Sequence, residues 1–299
     1  MLRGAENELI VRRFGGIGAV LPEPAQRVVS ALRGAPKLSL IFIVLALVCA
    51  AFAPFIAPYD PIQTDFSAIL EKPSSAHWLG ADNLGRDILT RIIYGARISV
   101  RIAVIAVFLA ASVGTLVALI AGVFRGWVDG LLMRITDGFM ALPYLMVALM
   151  VVSLMGASIT NVILVIGLLR WMGFARVLRG EVLRLMESDF VRLAIVAGAS
   201  RPRIMIRHIF PNVMNTLLVL VTLEIGLAVI TESSLSFLGL GVPRPQPSWG
   251  SMLRDAQLYI YIAWWSPVFA GLAITMLVMS CNLTGDWLRD RIDPTRRQL

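Results

Sequence analysis

Apolar runs of membrane-crossing length alternate along this chain with short polar segments, and that alternation sets the elements the sequence predicts. Residues 38–57 carry no charge and form a first span, closed by Pro54 and Pro58. A polar, net acidic stretch over 58–97 follows, and a second span occupies 102–124. There Ala106, Ala110, Gly114, Ala118 and Gly122 recur every four residues, lining one stripe against which another helix can pack closely. Residues 138–169 are again uncharged, too many for one crossing and too few for two. The MGASITN string at 155–161 reads as a tight turn between two helices, each of which then takes residues from its far end. The third span thereby includes Arg134 and Asp137, one turn apart and able to pair, and the fourth includes Arg170 and Arg176. These charges are read as snorkelling or paired at the membrane edge. Pro143 predicts a kink in the third span. A fifth span over 213–238 holds Glu224 and Glu232, and a sixth covers 262–285. The predicted fold is all-α: an integral membrane protein with six transmembrane helices.

Composition agrees. Mean hydropathy is +0.78, and only 15% of residues are charged, against about 25% in soluble domains. The net charge of +8 would point to nucleic acid in a soluble protein; here it sits between spans and orients them, so no nucleic-acid partner is expected. Arginines cluster from Arg176 to Arg207 and near both chain ends, while the 58–97 stretch is acidic. The positive-inside rule puts both termini in the cytoplasm, with 1–37 a lead-in segment and 286–299 a tail, and makes 58–97 an external loop. The first apolar run starts too far from Met1 for a signal peptide. Cys49 and Cys281 lie in apolar runs without CxxC spacing, and no metal site is predicted. Trp249, Tyr259, Tyr261, Trp264 and Trp265 read as an interfacial aromatic belt.

Two features carry candidate chemistry. Residues 189–212, DFVRLAIVAGASRPRIMIRHIFPN, are too short for a domain and too patterned for a casual loop. Val191, Ala194 and Ile195 share a helical face, Gly198 breaks the helix, and Ser200 can cap a second short helix with Pro202 in its first turn. Arg192, Arg201, Arg203, Arg207 and His208 surround that hinge, and Pro211 closes the unit. The result is a basic helix–Gly–helix bracket shaped for a groove on another protein; a connector lying on anionic lipid is the alternative. Second, Glu224 and Glu232 are ionisable groups inside a span, which normally face a partner or a water-filled path. Glu224 and Thr231 share a face, and Glu232 is turned about 80° away. Glu224, Thr231 and Glu232 are therefore candidates to line a solute path, with a structural bond to a neighbouring subunit the alternative for Glu224.

The bracket resembles the cytoplasmic coupling loop of ABC importer permeases, EAA-x3-G-x9-IxLP. The triplet falls on Arg192, Leu193 and Ala194, the glycine on Gly198 (followed by Ala199, Ser200 and Arg203), and IxLP on 208–211, His208 to Pro211. Arg192 replaces the acidic residue. HWLGADNLGRD at 77–87 is similar to the HWLGTDxLGRD signature of dipeptide, oligopeptide and nickel permeases, placing His77, Trp78, Gly80, Asp82, Gly85, Arg86 and Asp87 in that motif. Gly80 and Gly85 permit tight turns, Asp82 or Asn83 can cap a helix beginning near Arg86, and His77 beside Trp78 reads as a packed aromatic rather than a metal ligand. TESSLSFLGLG and PRPQPSWGSML match further segments of the same family, with Ser248 in place of an acid.

The resemblance implies a type I ABC importer permease fold, with a five-helix core over 98–285. It also implies a bacterial inner-membrane location, a second homologous permease, two ABC ATPase subunits and an external solute-binding protein, beside the lipid bilayer itself. The chain lacks the G-x4-GK[ST] phosphate cradle, so it is not expected to be an enzyme, and ATP and Mg would be bound by the partner ATPases. Peptides are the leading solute class and nickel the alternative. An ion-coupled secondary transporter using Asp137, Glu224 and Glu232 as a relay, or a membrane scaffold, is the rival class.

Overall fold

The computed structural model describes residues 34–292. Most of the lead-in (residues 1–33) and the end of the tail (293–299, with Arg296 and Arg297) lie outside the described residues. Those described are helical apart from turns and loops, with one isolated backbone bridge between Ala81 and Asp87.

Helix α1 (Lys37–Ile56) is apolar throughout and bends at Phe52, two residues before Pro54, where the proline ring excludes a regular turn. Its end is tied to the next helix by Tyr59 N–H donating to Thr90 Oγ1 (3.3 Å). Helix α2 (Ile88–Phe124) has 37 residues. At ~1.5 Å per residue that is about 55 Å, far beyond the ~30 Å hydrocarbon layer. It therefore starts well before residue 97, the predicted end of the external loop. Its cap is Asp87, whose carboxylate accepts from Thr90 N–H at 2.7 Å, and not Asp82 or Asn83.

Where one kinked span was predicted, the chain makes α3 (Gly126–Met140) and α4 (Tyr144–Met155), set at 84° to each other. Pro143 breaks the helix because it both removes an N–H and disfavours helical geometry at Leu142. Gly156 (φ +85°) then turns the chain, and the Asn161 amide donates to the Met155 and Gly156 carbonyls at 2.9 Å each, closing the predicted tight turn. Helix α5 (Ile159–Met186) follows, capped by Ser158.

Next come α6 (Asp189–Val196) and α7 (Arg201–Ile204), then a wide π-turn (Met205–Ile209) that runs into α8 (Phe210–Phe237). The bracket's second arm is thus no separate short helix: Arg201–Phe237 passes as one apolar span. Pro211 does not close the unit but sits in the first turn of α8. Phe210 N–H reaches back five residues to Met205 O, the widening that makes room for the proline ring. Short helix α9 (Trp249–Ala256) and long helix α10 (Trp265–Ile292) complete the chain. Five helices are long and apolar enough to cross a membrane, six if α3 and α4 form one broken span.

The core is the α2–α5 pair, which runs parallel. Ala106, Ala110, Gly114, Ala118 and Gly122 are all buried. A Cβ on Gly114 would lie 2.5 Å from Phe174 Cβ and from the Trp171 carbonyl, and one on Gly122 would collide with Val182. On the α5 side Gly167 faces Leu109 and the Ala106 carbonyl. Backbones this close gain dispersion along the whole seam, which is how helices associate where lipid leaves no hydrophobic driving force.

Candidate functional site

Three groups of polar residues are set at different depths of this bundle. At the end where α2 begins, the 77–87 signature folds back on itself. His77 Nδ1 lies 3.0 Å from Asp87 Oδ1, and its ring sits 5.2 Å from that of Tyr59. Asp82 accepts from the N–H groups of Leu84 (2.8 Å) and Arg86 (3.0 Å), which fixes the turn, and from Arg86 Nε at 2.8 Å. Gly85 (φ +72°) lies so close to the Asp65 carbonyl that no side chain fits. Gly80 packs on Trp265, whose Nε1 donates to Ala81 O at 3.4 Å. Asp65 accepts from Ser67 Oγ and Ser67 N–H, bonds that hold its pKa below the usual carboxylate value.

The signature is completed by residues the motif does not contain. Arg91, 2% exposed, pairs with Asp82 (3.4 Å) and donates to Pro61 O at 3.2 Å. Asp255 of α9 lies 3.5 Å from Arg86, 3.7 Å from Arg91 and 2.6 Å from Arg244. Sequence reasoning missed both Arg91 and Asp255; the only available sign was an arginine at helical spacing from Arg86 and Asp87. His77 is buried as a packed ring, while its neighbour Trp78 is 71% exposed. The aromatic belt is also smaller than predicted, because Trp249 and Trp265 are buried, Trp249 Nε1 donating to Ile92 O at 3.0 Å. Ser248 takes the place of the acid by capping α9: its Oγ accepts from Ser251 N–H, and Ser251 Oγ accepts from Ser248 N–H.

In the middle of the bundle, Glu224 pairs with Arg170. Arg170 Nη2 also donates to Thr231 Oγ1 at 3.3 Å, and the guanidinium lies 5.0 Å from the centroid of the Tyr144 ring. Arg170 is about 24 Å along α5 from Met186 at ~1.5 Å per residue, so it does not snorkel at an edge as predicted. The pair borders a cleft of about 310 Å³ between the α3–α4 break, α5 and α8. Glu232 is elsewhere. It is fully buried, accepting from Ser99 Oγ (2.8 Å) and Ser236 Oγ (2.7 Å), and does not line the cleft. Asp137 pairs with Arg176, not with Arg134, and Asp129 is held by Arg179 through two 2.5 Å bonds. Asp137, Glu224 and Glu232 therefore occupy three separate environments rather than one relay.

The opposite end carries the bracket. Gly198 (φ +81°) forms the helix stop: Gly198 N–H donates to Ile195 O and Ala199 N–H to Ala194 O, a paired closure that needs a left-handed residue. Ser200 holds the cap position of α7, but its side chain makes no capping bond. Val191, Ile204 and Ile209 are buried, whereas Ile195, predicted to share a helical face with Val191, is exposed. Leu193 is 67% and Val196 86% exposed. Arg192, Arg203, Arg207 and Pro211 are exposed around them, Ala194, Ala199 and His208 half-buried. Arg201 lies over the Phe124 ring at 5.9 Å, and Arg125 pairs with Glu187 at 3.4 Å, which seat the bracket against the far end of α2. Exposed apolar and cationic side chains thus share this end of the molecule.

Residues 114–298 match the family described as binding-protein-dependent transport system inner membrane component. Residues 37–73 match the N-terminal transmembrane domain of oligopeptide transport permease C. The chain is 44% identical over 255 residues to the glutathione transport system permease protein GsiD of Escherichia coli O6:K15:H31, covering 85% of this chain and 84% of that one. The Shigella sonnei GsiD matches equally, and the Pectobacterium atrosepticum GsiD is 40% identical over 85% of each chain. The chain therefore belongs to the binding-protein-dependent transport inner-membrane components, the ABC importer permeases of the bacterial inner membrane.

Proposed function

We propose that this permease forms half of the translocation path for a peptide-type solute, handed over by an external binding protein and driven by two ATPase subunits that hold ATP and Mg. The observation that carries the solute class is the 44% identity, across most of both chains, to permeases named for glutathione transport. Glutathione is itself a small peptide, and the match to the oligopeptide permease segment at 37–73 supports the same class. In this reading the signature end faces outward, and both termini and the bracket face the cytoplasm. The bracket's exposed Leu193 and Val196, with Arg192, Arg203 and His208 around them, dock on an ATPase subunit. A second, homologous permease packs along the apolar groove between α2 and α8, lined by Phe108, Leu116, Leu218 and Ile225 among others.

ATP-driven closure of the ATPases would move the bracket and switch the path between outward and inward access. The test is affinity measurement on the solute-binding protein encoded alongside, against glutathione, di- and tripeptides and nickel. Micromolar binding of a peptide supports the reading; selective binding of nickel alone rejects it.

A further inference from the structure

The geometry points to the Arg170–Glu224 pair as a charge-exchange site for a solute that carries both an ammonium and a carboxylate. Empty, the two side chains neutralise one another across the cleft; occupied, the solute's ammonium takes Glu224 and its carboxylate takes Arg170. This inference rests on the peptide-importer reading above and assigns that reading its mid-membrane contact.

Four observations converge on it. An ion pair at this depth is costly unless it meets a partner or a water-filled path; this pair meets a partner and borders the cleft. Arg170 and Glu224 side chains are 16% and 20% exposed, whereas Glu232 on the same helix is sealed at 0% by serine hydroxyls. A carboxylate kept only for packing would look like Glu232. Second, the Arg176–Asp137 pair nearer the bracket is 50% and 60% exposed, and neither residue lines the cleft.

Third, Arg170 is incompletely satisfied. Nη1 goes to Glu224 and Nη2 to Thr231 through a long 3.3 Å bond, while Nε is buried with no partner. The Nε–Nη2 edge is the fork that receives a carboxylate in bidentate fashion, and here it holds one weak bond. Fourth, the cleft's opposite wall is the α3–α4 break, with Leu142 and Tyr144 facing it. Interrupted helix at membrane depth is tolerated where it lines a cavity. About 310 Å³ is the lower end of the range for small-molecule sites, near 300–1,000 Å³, which suits a di- or tripeptide.

The test uses the assembled transporter, with its paired permease, ATPases and binding protein, in proteoliposomes, with glutathione and a set of di- and tripeptides as probes. Wild-type uptake tests the importer reading: uptake of none of these probes overturns that reading and this site with it. Given wild-type uptake, R170Q and E224Q each reduce it at least tenfold in complexes recovered at wild-type yield, and the double variant R170Q/E224Q stays equally low. A merely structural pair predicts the opposite for the double variant, because two amides can bond one another with no charge left unpaired. Recovery in the double variant, or undiminished uptake in either single one, overturns the inference while leaving the importer reading intact. Should the single variants fail to assemble, G173L decides. A Cβ on Gly173 already lies 3.9 Å from Glu224 Oε1, so a leucine there fills the cleft without removing either charge. Loss of uptake with G173L supports the site, and wild-type uptake overturns it.

Discussion

Single atoms decide much of this protein's stability. Gly114 and Gly180 lie on neighbouring helices, yet a Cβ meets Phe174 and Trp171 at the first and open space at the second. Gly114→Ala should therefore destabilise the detergent-solubilised protein by about 1–3 kcal/mol through overpacking, while Gly180→Ala should gain about 0.5–1 kcal/mol from helix propensity. Thermal melts of the two variants should shift in opposite directions; equal shifts would reject the close seam. Asp255, 7% exposed, balances buried Arg86 and Arg91. Asp255→Asn leaves both cations sharing Asp82 alone and should cost about 3 kcal/mol, read as a lower melting temperature or loss of folded yield. The stripe at 106–122 was legible because spacing alone specifies a seam. The partners of Arg91 and Glu224 were not, since Asp255 and Arg170 are separated from them by 164 and 54 residues and only folding brings them together.

Among the helices, the most informative is the one that breaks. Pro143 was visible in the sequence, but a proline reads equally as a kink or a break until the neighbouring packing is known. Here Asp137 leaves its own helix to pair with Arg176, and the arms separate by 84°. The Gly198 stop was legible for a firmer reason: a glycine after an apolar turn, followed by Ser and Pro, satisfies a left-handed closure that few sequences fit. Gly198→Ala has room for its methyl and should lose about 1 kcal/mol from the positive φ alone. Gly198→Pro also deletes the N–H bonded to Ile195 O and imposes a negative φ, dissolving the turn. The predicted result is a sharp fall in solute taken up per ATP hydrolysed by the assembled transporter; an unchanged ratio would show that the turn does not couple.

For the molecule as a whole, charge bias predicts the orientation, and labelling checks it. In a background with Cys49 and Cys281 replaced by serine, Trp78→Cys should react with a membrane-impermeant maleimide on intact spheroplasts. Leu193→Cys, also well exposed, should react only after permeabilisation. The reverse pattern would invert the assembly. Helical class and five of the six predicted spans were legible from hydropathy because lipid leaves the backbone few alternatives. Depth was not, because the run of uncharged residues stops at Arg170 wherever that side chain's partner sits. The second arm of the bracket continues without a hinge loop into α8, through a widened turn. Glu224 lies about 34 Å along this rod from Arg201, at ~1.5 Å per residue. Pivoting the rod by ~5° at its base would carry Glu224 sideways by roughly 3 Å, the whole length of a hydrogen bond. A nucleotide-driven nudge at the surface would thus be geared directly to whether Glu224 still touches Arg170.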